Sequence, residues 1–227
     1  MPTRKPTIFQ IRNIEIIYKA EFSPPILEIA SGQTQIEFLK AICQNFGFKF
    51  KEVVLNNQAI SSSLIAYRKA FKLGFFEASI GVDELQTVNV NPETEVKAWE
   101  LTFQTMNLLS KISRISFKRQ TLTFNIHCSS ESIIFSKFIN NINIFEFKNI
   151  FYTKGATFSI KSPWPGCLIN IILDQSMLVE NGLFLLLQTF IDESVQKYDN
   201  IFEKTLIFLK QNIEPSLNIK LNYEGRK

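Results

Sequence analysis

One run of alternation constrains this chain more than any other feature. Between Ile115 and Cys128, residues Leu122, Phe124, Ile126 and Cys128 share one parity, while Arg119, Thr121, Thr123, Asn125 and His127 share the other. Successive strand side chains point to opposite faces, so this segment demands a sheet with an apolar side. Residues Ile8 to Tyr18 alternate roughly between apolar and polar types and predict an early strand that Pro24-Pro25 ends. Further strands are expected over 48–55, over 63–82 as a hairpin or bent ribbon around Gly74, and near 145–152, 156–161 and 167–174.

Helical spacing separates these runs. Thr34 followed by Glu37 makes a capping box ahead of Ile36, Leu39, Ile42, Cys43 and Phe46, with Gly47 placed to end the helix. Asn91-Pro92 predicts a second helix start, and Val96, Trp99, Phe103, Met106 and Leu109 then form an apolar stripe suited to packing on a sheet. Ser129 or Ser130 is placed to cap a short helix through Ile139. Leu183, Leu187, Phe190, Ile191, Val195, Tyr198, Phe202, Leu206, Leu209 and Ile213 keep helical spacing and predict a long C-terminal helix. Residues after Pro215 are expected to form a tail or an edge strand.

Strands and helices in this order define an α+β protein. The halves also align with each other. A shift of 99 residues places Val96, Trp99, Glu100 and Phe103 on Val195, Tyr198, Asp199 and Phe202, and a shift of 91 places Ile80–Asp83 on Ile171–Asp174. The expectation is two related β-rich units, 1–128 and 129–227, packed as one body. Each would be a mainly antiparallel sheet with an amphipathic helix across it. Fortuitous matching in a chain with 22 Phe is the alternative source of this alignment.

Trp99-Glu100-Leu101-Thr102-Phe103, the strand Thr121–Asn125 and Ile171-Ile172-Leu173-Asp174 give the chain a layout that resembles a sporadically distributed, uncharacterised bacterial family. Its members carry an aromatic-Trp-Glu-x-x-Phe helix. Val96 and Lys97 stand where the family has a Tyr before the Trp, and Leu122-Thr123-Phe124-Asn125 replaces its Arg-Tyr-Ile-Asn strand. The resemblance implies an accessory or defence-associated setting and no particular activity.

Several classes fall away on chemistry. Apolar residues make up 45% of the 227 and the net charge is only +4, which fits a folded domain and is far from a polybasic DNA-packaging protein. No apolar run is long enough to span a bilayer, and the amino terminus lacks a secretory h-region. The three widely spaced cysteines, Cys43, Cys128 and Cys167, suggest reduced thiols and a cytoplasmic setting, with no membrane partner. Glycines occur at neither P-loop nor Rossmann spacing, and His127 is the sole imidazole. No cofactor is expected, and no catalytic constellation is legible.

Three readings follow. The preferred one is a non-enzymatic binding or assembly subunit of a bacterial complex, with a protein partner or self-association. Trp164 in the Pro163-Trp164-Pro165-Gly166 turn is its candidate anchor. The alternative is nucleic-acid binding: no acid lies between Leu101 and Ser130, so Lys111, Arg114, Lys118 and Arg119, joined by Arg68 and Lys161, offer phosphate contacts. Tyr67, Tyr152 or Trp164 would stack on bases. The third is a Mg-dependent hydrolase using Asp83 and Asp174 at the ends of two strands, although an Asp there ordinarily serves the following turn. His127 reads as a surface or interface residue, with general-base chemistry as its alternative.

Overall fold

A computed structural model describes residues 5–27, 33–47, 49–56, 63–71, 74–112, 114–141, 155–161, 164, 166–191 and 199–222. In chain order the elements are β1 (Thr7–Ser23), α1 (Gln33–Phe46), a 3-10 turn (Phe50–Glu52), β2 (Val53–Asn56), β3 (Ser63–Phe71), β4 (Gly74–Ile80), β5 (Glu84–Val90), α2 (Glu95–Ile112), β6 (Ser116–Ser129) and α3 (Phe135–Asn141). Next come β7 (Gly155–Lys161), β8 (Cys167–Gln175), β9 (Leu183–Ile191), α4 (Asp199–Phe208) and β10 (Ile219–Asn222). The fold is α+β. Two compact units share it: residues 15–122 with 190–195, called the first unit, and residues 1–14, 123–189 and 196–227, called the second.

In the first unit the strands run in the order β2-β3-β4-β5-β1, with β6 beyond β1. Every pairing from β2 to β1 is antiparallel. Alternation drives this part: Phe76, Ala78 and Ile80 on β4, and Leu85, Thr87 and Asn89 on β5, are buried while their neighbours are half-buried or exposed. Phe71 opposes Gly74, so the expected hairpin turns there. On α1, Phe38 and Ile42 are buried, and Gly47 takes φ 63 just past the helix end. Ile36, expected on the apolar face, is exposed.

Helix α2 begins later and faces differently than its sequence suggests. Asn91 adopts φ 48 after β5, and Thr94 is the cap, its Oγ1 accepting the Lys97 amide at 3.2 Å. The buried face is Ala98, Thr102, Thr105, Met106 and Leu109. Val96 is exposed, and Trp99 stacks on Phe103 at 6.3 Å with both rings half-buried. Polar matching explains the rotation. Thr102 Oγ1 meets Thr87 Oγ1 at 2.9 Å and accepts from Asn89 Nδ2 at 3.2 Å, all three residues being buried. Turning these groups inward gives the Thr87 hydroxyl and Asn89 Nδ2 a partner under the helix, while Asn89 Oδ1 stays buried without one.

In the second unit β10, β1, β6, β9, β8 and β7 follow one another, and β10 pairs parallel to β1 with Thr7 opposite Ile219. Leu122, Phe124, Ile126 and Cys128 of β6 are buried as the alternation demands. Residues 183–191 correct the expected long C-terminal helix: they are strand β9, with Leu183, Leu185, Leu187, Thr189 and Ile191 buried in strict alternation. An i, i+4 pair is also an i, i+2 parity match, so Leu183 and Leu187 satisfy both periods. The helix proper starts at Asp199 and continues through a π-type turn, Leu209–Ile213, to a last turn at Glu214–Ser216. Phe202 packs on Phe124 at 5.6 Å, and Thr205 Oγ1 meets Thr189 Oγ1 at 3.3 Å. The strand expected near 145–152 lies outside the described residues.

The buried polar contact between β5 and α2 yields a stability test. Thr102→Val keeps the shape but strips Asn89 Nδ2 and Thr87 Oγ1 of their partner. Urea denaturation should show a loss of about 1–3 kcal/mol, whereas Ser110→Ala on the exposed side should change stability by less than about 0.5 kcal/mol.

Candidate functional site

The β8–β9 turn presents the most exposed large apolar side chain among the described residues, and a second beside it. Met177 is 96% and Leu178 66% exposed. The backbone beneath them is held on every side. Ser176 N donates to the Gly182 carbonyl at 2.9 Å, Gly182 N donates to the Val179 carbonyl at 3.0 Å, and Asn181 takes φ 53. Ser176 Oγ accepts the amides of Leu178 at 3.2 Å and Val179 at 2.9 Å. Phe135 N donates to the Asn181 carbonyl at 3.0 Å, which brings the neighbouring Ile134, itself exposed, to the turn. A turn with this many bonds shows its apolar residues in one conformation rather than folding them inward.

His127 completes the support. Its Nδ1 lies 2.9 Å from Ser176 Oγ, and its ring lies 4.7 Å from that of Phe184. A hydroxyl has two lone pairs and one proton. Two backbone amides occupy the lone pairs of Ser176, so its proton goes to Nδ1 and His127 carries its own on Nε2. That assignment spends Ser176 on the turn. The Ser–His contact ties β6 to the turn. Asn181-Gly182, a turn dipeptide ahead of an alternating run, is the signal that marks this site in the sequence.

A second feature lies wholly in the first unit. Helices α1 and α2 flank a cavity of about 300 Å³ lined by Asn45, Gln104, Asn107, Leu108 and Lys111. Asn45 donates through Nδ2 to the Ala41 carbonyl at 2.7 Å, which fixes its carboxamide at the end of α1. Gln104, Asn107 and Lys111 follow one another along the exposed side of α2. Among the described residues no acid lines the cavity.

The residues singled out from sequence fall in several places. Trp164 is half-buried, with its ring edge-on to Phe208 at 5.9 Å. Lys111 lies in the last turn of α2, Arg114 follows the helix, and Lys118 and Arg119 lie exposed on β6, with Arg119 Nη1 3.8 Å from Glu21 Oε1. Arg68 sits on β3 opposite Phe76, and Lys161 ends β7 opposite Leu168; their side chains lie outside the described residues, as do those of Tyr67 and Tyr152. Arg68 and Lys161 belong to different units. Asp83 is exposed in the β4–β5 turn, its backbone carbonyl accepting Phe22 N at 2.8 Å. Asp174 belongs to β8 in the other unit, with Oδ1 accepting the Gln175 amide at 2.6 Å. Among the described residues no three His, Cys, Asp or Glu side chains gather at one point, and no helix is long and apolar enough to cross a membrane.

No family model, curated protein or solved structure matches this chain.

Two measurements follow from the supports of the turn. Gly182 has no room for a side chain, because a Cβ would lie 2.7 Å from the Cys128 carbonyl oxygen and 2.8 Å from Val179 Cβ. Gly182→Ala should cost about 1–3 kcal/mol on thermal or urea unfolding. Burial pushes the Cys128 thiol up from 9.0 to about 12. A raised folded pKa contributes stability that is present below the unfolded value and is lost as pH climbs through the folded one, so stability should fall between about pH 9 and 12. Cys128→Ala should flatten that fall, read as urea midpoints against pH. In the native protein at neutral pH, Cys128 should resist a thiol reagent until the chain unfolds.

Proposed function

We propose that this protein is a non-catalytic recognition or assembly subunit that engages a protein partner through the Met177–Leu178 turn. The carrying observation is the combination of 96% and 66% exposure with a backbone held by bonds from the amides of Ser176, Leu178, Val179 and Gly182. Burying each side chain in a partner would contribute about 1.5–3 kcal/mol. Little ordering entropy would oppose it, since the turn is already set. Ile134 widens the apolar area, and the polar Gln175, Glu180 and Asn181 around it suit the rim of an interface. In this reading Trp164 supports α4 and the docking role passes to the turn. The bacterial-family resemblance adds the setting of an accessory, defence-associated complex.

We also read the two units as copies of one ancestral design, and this strengthens the proposal. In each, an antiparallel or neighbouring strand pair leads into a helix that returns a buried threonine to the second strand: Thr87 with Thr102, and Thr189 with Thr205. The buried positions favour an offset of 103 residues over the 99 of the sequence alignment: it sets buried Ala98, Thr102, Thr105 and Met106 against buried Ile201, Thr205, Phe208 and Leu209. The π-type turn after Phe208 inserts one residue, which carries Leu109 onto buried Ile213. Between the paired strands the first copy has only Gly81–Asp83, whereas the second has Ser176–Gly182. The exposed apolar pair therefore sits in the segment by which the copies differ, as expected of a loop elaborated for binding on a retained scaffold.

The test is co-purification with the products of neighbouring genes, together with light scattering across a concentration series for self-association. A defined complex should form, and the pair Met177→Ser and Leu178→Ser should weaken it by at least about tenfold with no change in melting temperature. A monomer at all concentrations that binds none of the neighbouring products, or a complex indifferent to the double substitution, contradicts the proposal.

A further inference from the structure

We propose that the cavity between α1 and α2 binds a nucleotide, with Asn45, Gln104 and Asn107 reading the base edge and Lys111 holding its phosphate. This site is separate from the turn and belongs to the other unit. Its lining argues for the ligand class. Gln104 and Asn107 present paired donors and acceptors without net charge, and Asn45, one of whose Nδ2 protons goes to the Ala41 carbonyl, adds a third carboxamide; this is the complement of a base edge rather than of a cation or a hydrocarbon. Leu108 supplies an apolar surface for the face of the base. The single charge is positive, and Lys111 has no ion-pair partner among the described residues. A volume of about 300 Å³ is at the lower end for small-ligand pockets and suits one nucleotide unit rather than a larger cofactor.

Charge beyond the cavity points the same way. Arg114 and Lys118 continue from Lys111 along the chain, both exposed, and no acid occurs from Leu101 to Ser130. Lys40 on α1, and Lys49 just past its end, are exposed as well. Glu37 on α1 and Glu100 on α2 are exposed too, so a strand whose base enters the cavity is held by its phosphates only where it meets Lys111 and such cations, and its affinity rises as salt falls. The shared chemistry is a nucleobase joined to phosphate, whether free or within a strand, and the experiment separates those sources.

Fluorescence anisotropy with a labelled single-stranded oligoadenylate would be recorded at about 50 and 200 mM salt, alongside competition by AMP and by inorganic polyphosphate. The expected result is binding that weakens steeply with salt. Lys111→Gln should lower affinity by about fivefold or more and reduce the salt slope by about one. The pair Gln104→Ala and Asn107→Ala should abolish the preference for oligoadenylate over polyphosphate while the salt slope stays. Competition by AMP would assign a free nucleotide, and competition by the oligomer alone would assign a strand; either upholds the site. All three substitutions are at exposed positions, and circular dichroism confirms that each variant is folded. No binding at low salt, equal competition by polyphosphate, or variants that bind like the parent would overturn the proposal.

Discussion

The structure depends on the two long strands, β1 and β6, of 17 and 14 residues; β6 buries every second residue from Gln120, and β1 does so in two runs whose parity changes between Ile11 and Ile14. Each contributes to both compact units. A register slip of one residue in either would turn Ile11, Ile16 and Tyr18, or Phe124 and Ile126, away from the core. Both units would lose their packing at once. Tyr18 adds a directional check, since its buried hydroxyl donates to Gln120 Oε1 at 3.0 Å and makes a slipped pairing costly in unsatisfied groups.

From that frame the helices derive their orientation. They are placed less by their most hydrophobic stripe than by threonines that answer polar groups on the sheet. Thr102 and Thr205 are both buried, and each meets a strand threonine. The bulky Trp99 and Phe103 are displaced to the flank, where their stacking keeps part of their surface from water. This arrangement leaves the outer side of α2 to Gln104, Asn107 and Lys111, the residues that line its cavity with α1.

Much of the fold was legible in the sequence, and the exceptions have physical causes. Strands β1, β6, β7 and β8, the turn at Gly74 and the helix end at Gly47 follow from period-two alternation and from turn chemistry, which are local signals. The face of α2 was misjudged because hydrophobicity counts Trp99 and Phe103 above Thr102 and Thr105, while the partners of those threonines, Thr87 and Asn89, lie on another element. Strand β9 was read as helix because its alternating leucines fit both periods. The candidate site was nearly invisible for the same reason. With Leu183 assigned to a helix, Ser176–Gly182 had no second strand to turn into, and the exposure of Met177 could not be foreseen. Lys111 was found through the absence of nearby acids; Asn45, Gln104 and Asn107 were not, since carboxamides on a helix surface carry no pattern of their own.

Recognition, as proposed, works through a turn set before any partner arrives. Native-state hydrogen exchange of the free protein reads this most directly. If the bonds to Ser176 Oγ and the Val179 and Gly182 carbonyls persist, the amides of Ser176, Leu178, Val179 and Gly182 should exchange at least about a hundredfold more slowly than in an unstructured peptide. Exchange at unstructured rates would mean that Met177 and Leu178 ride on a mobile loop, and the central claim would be contradicted.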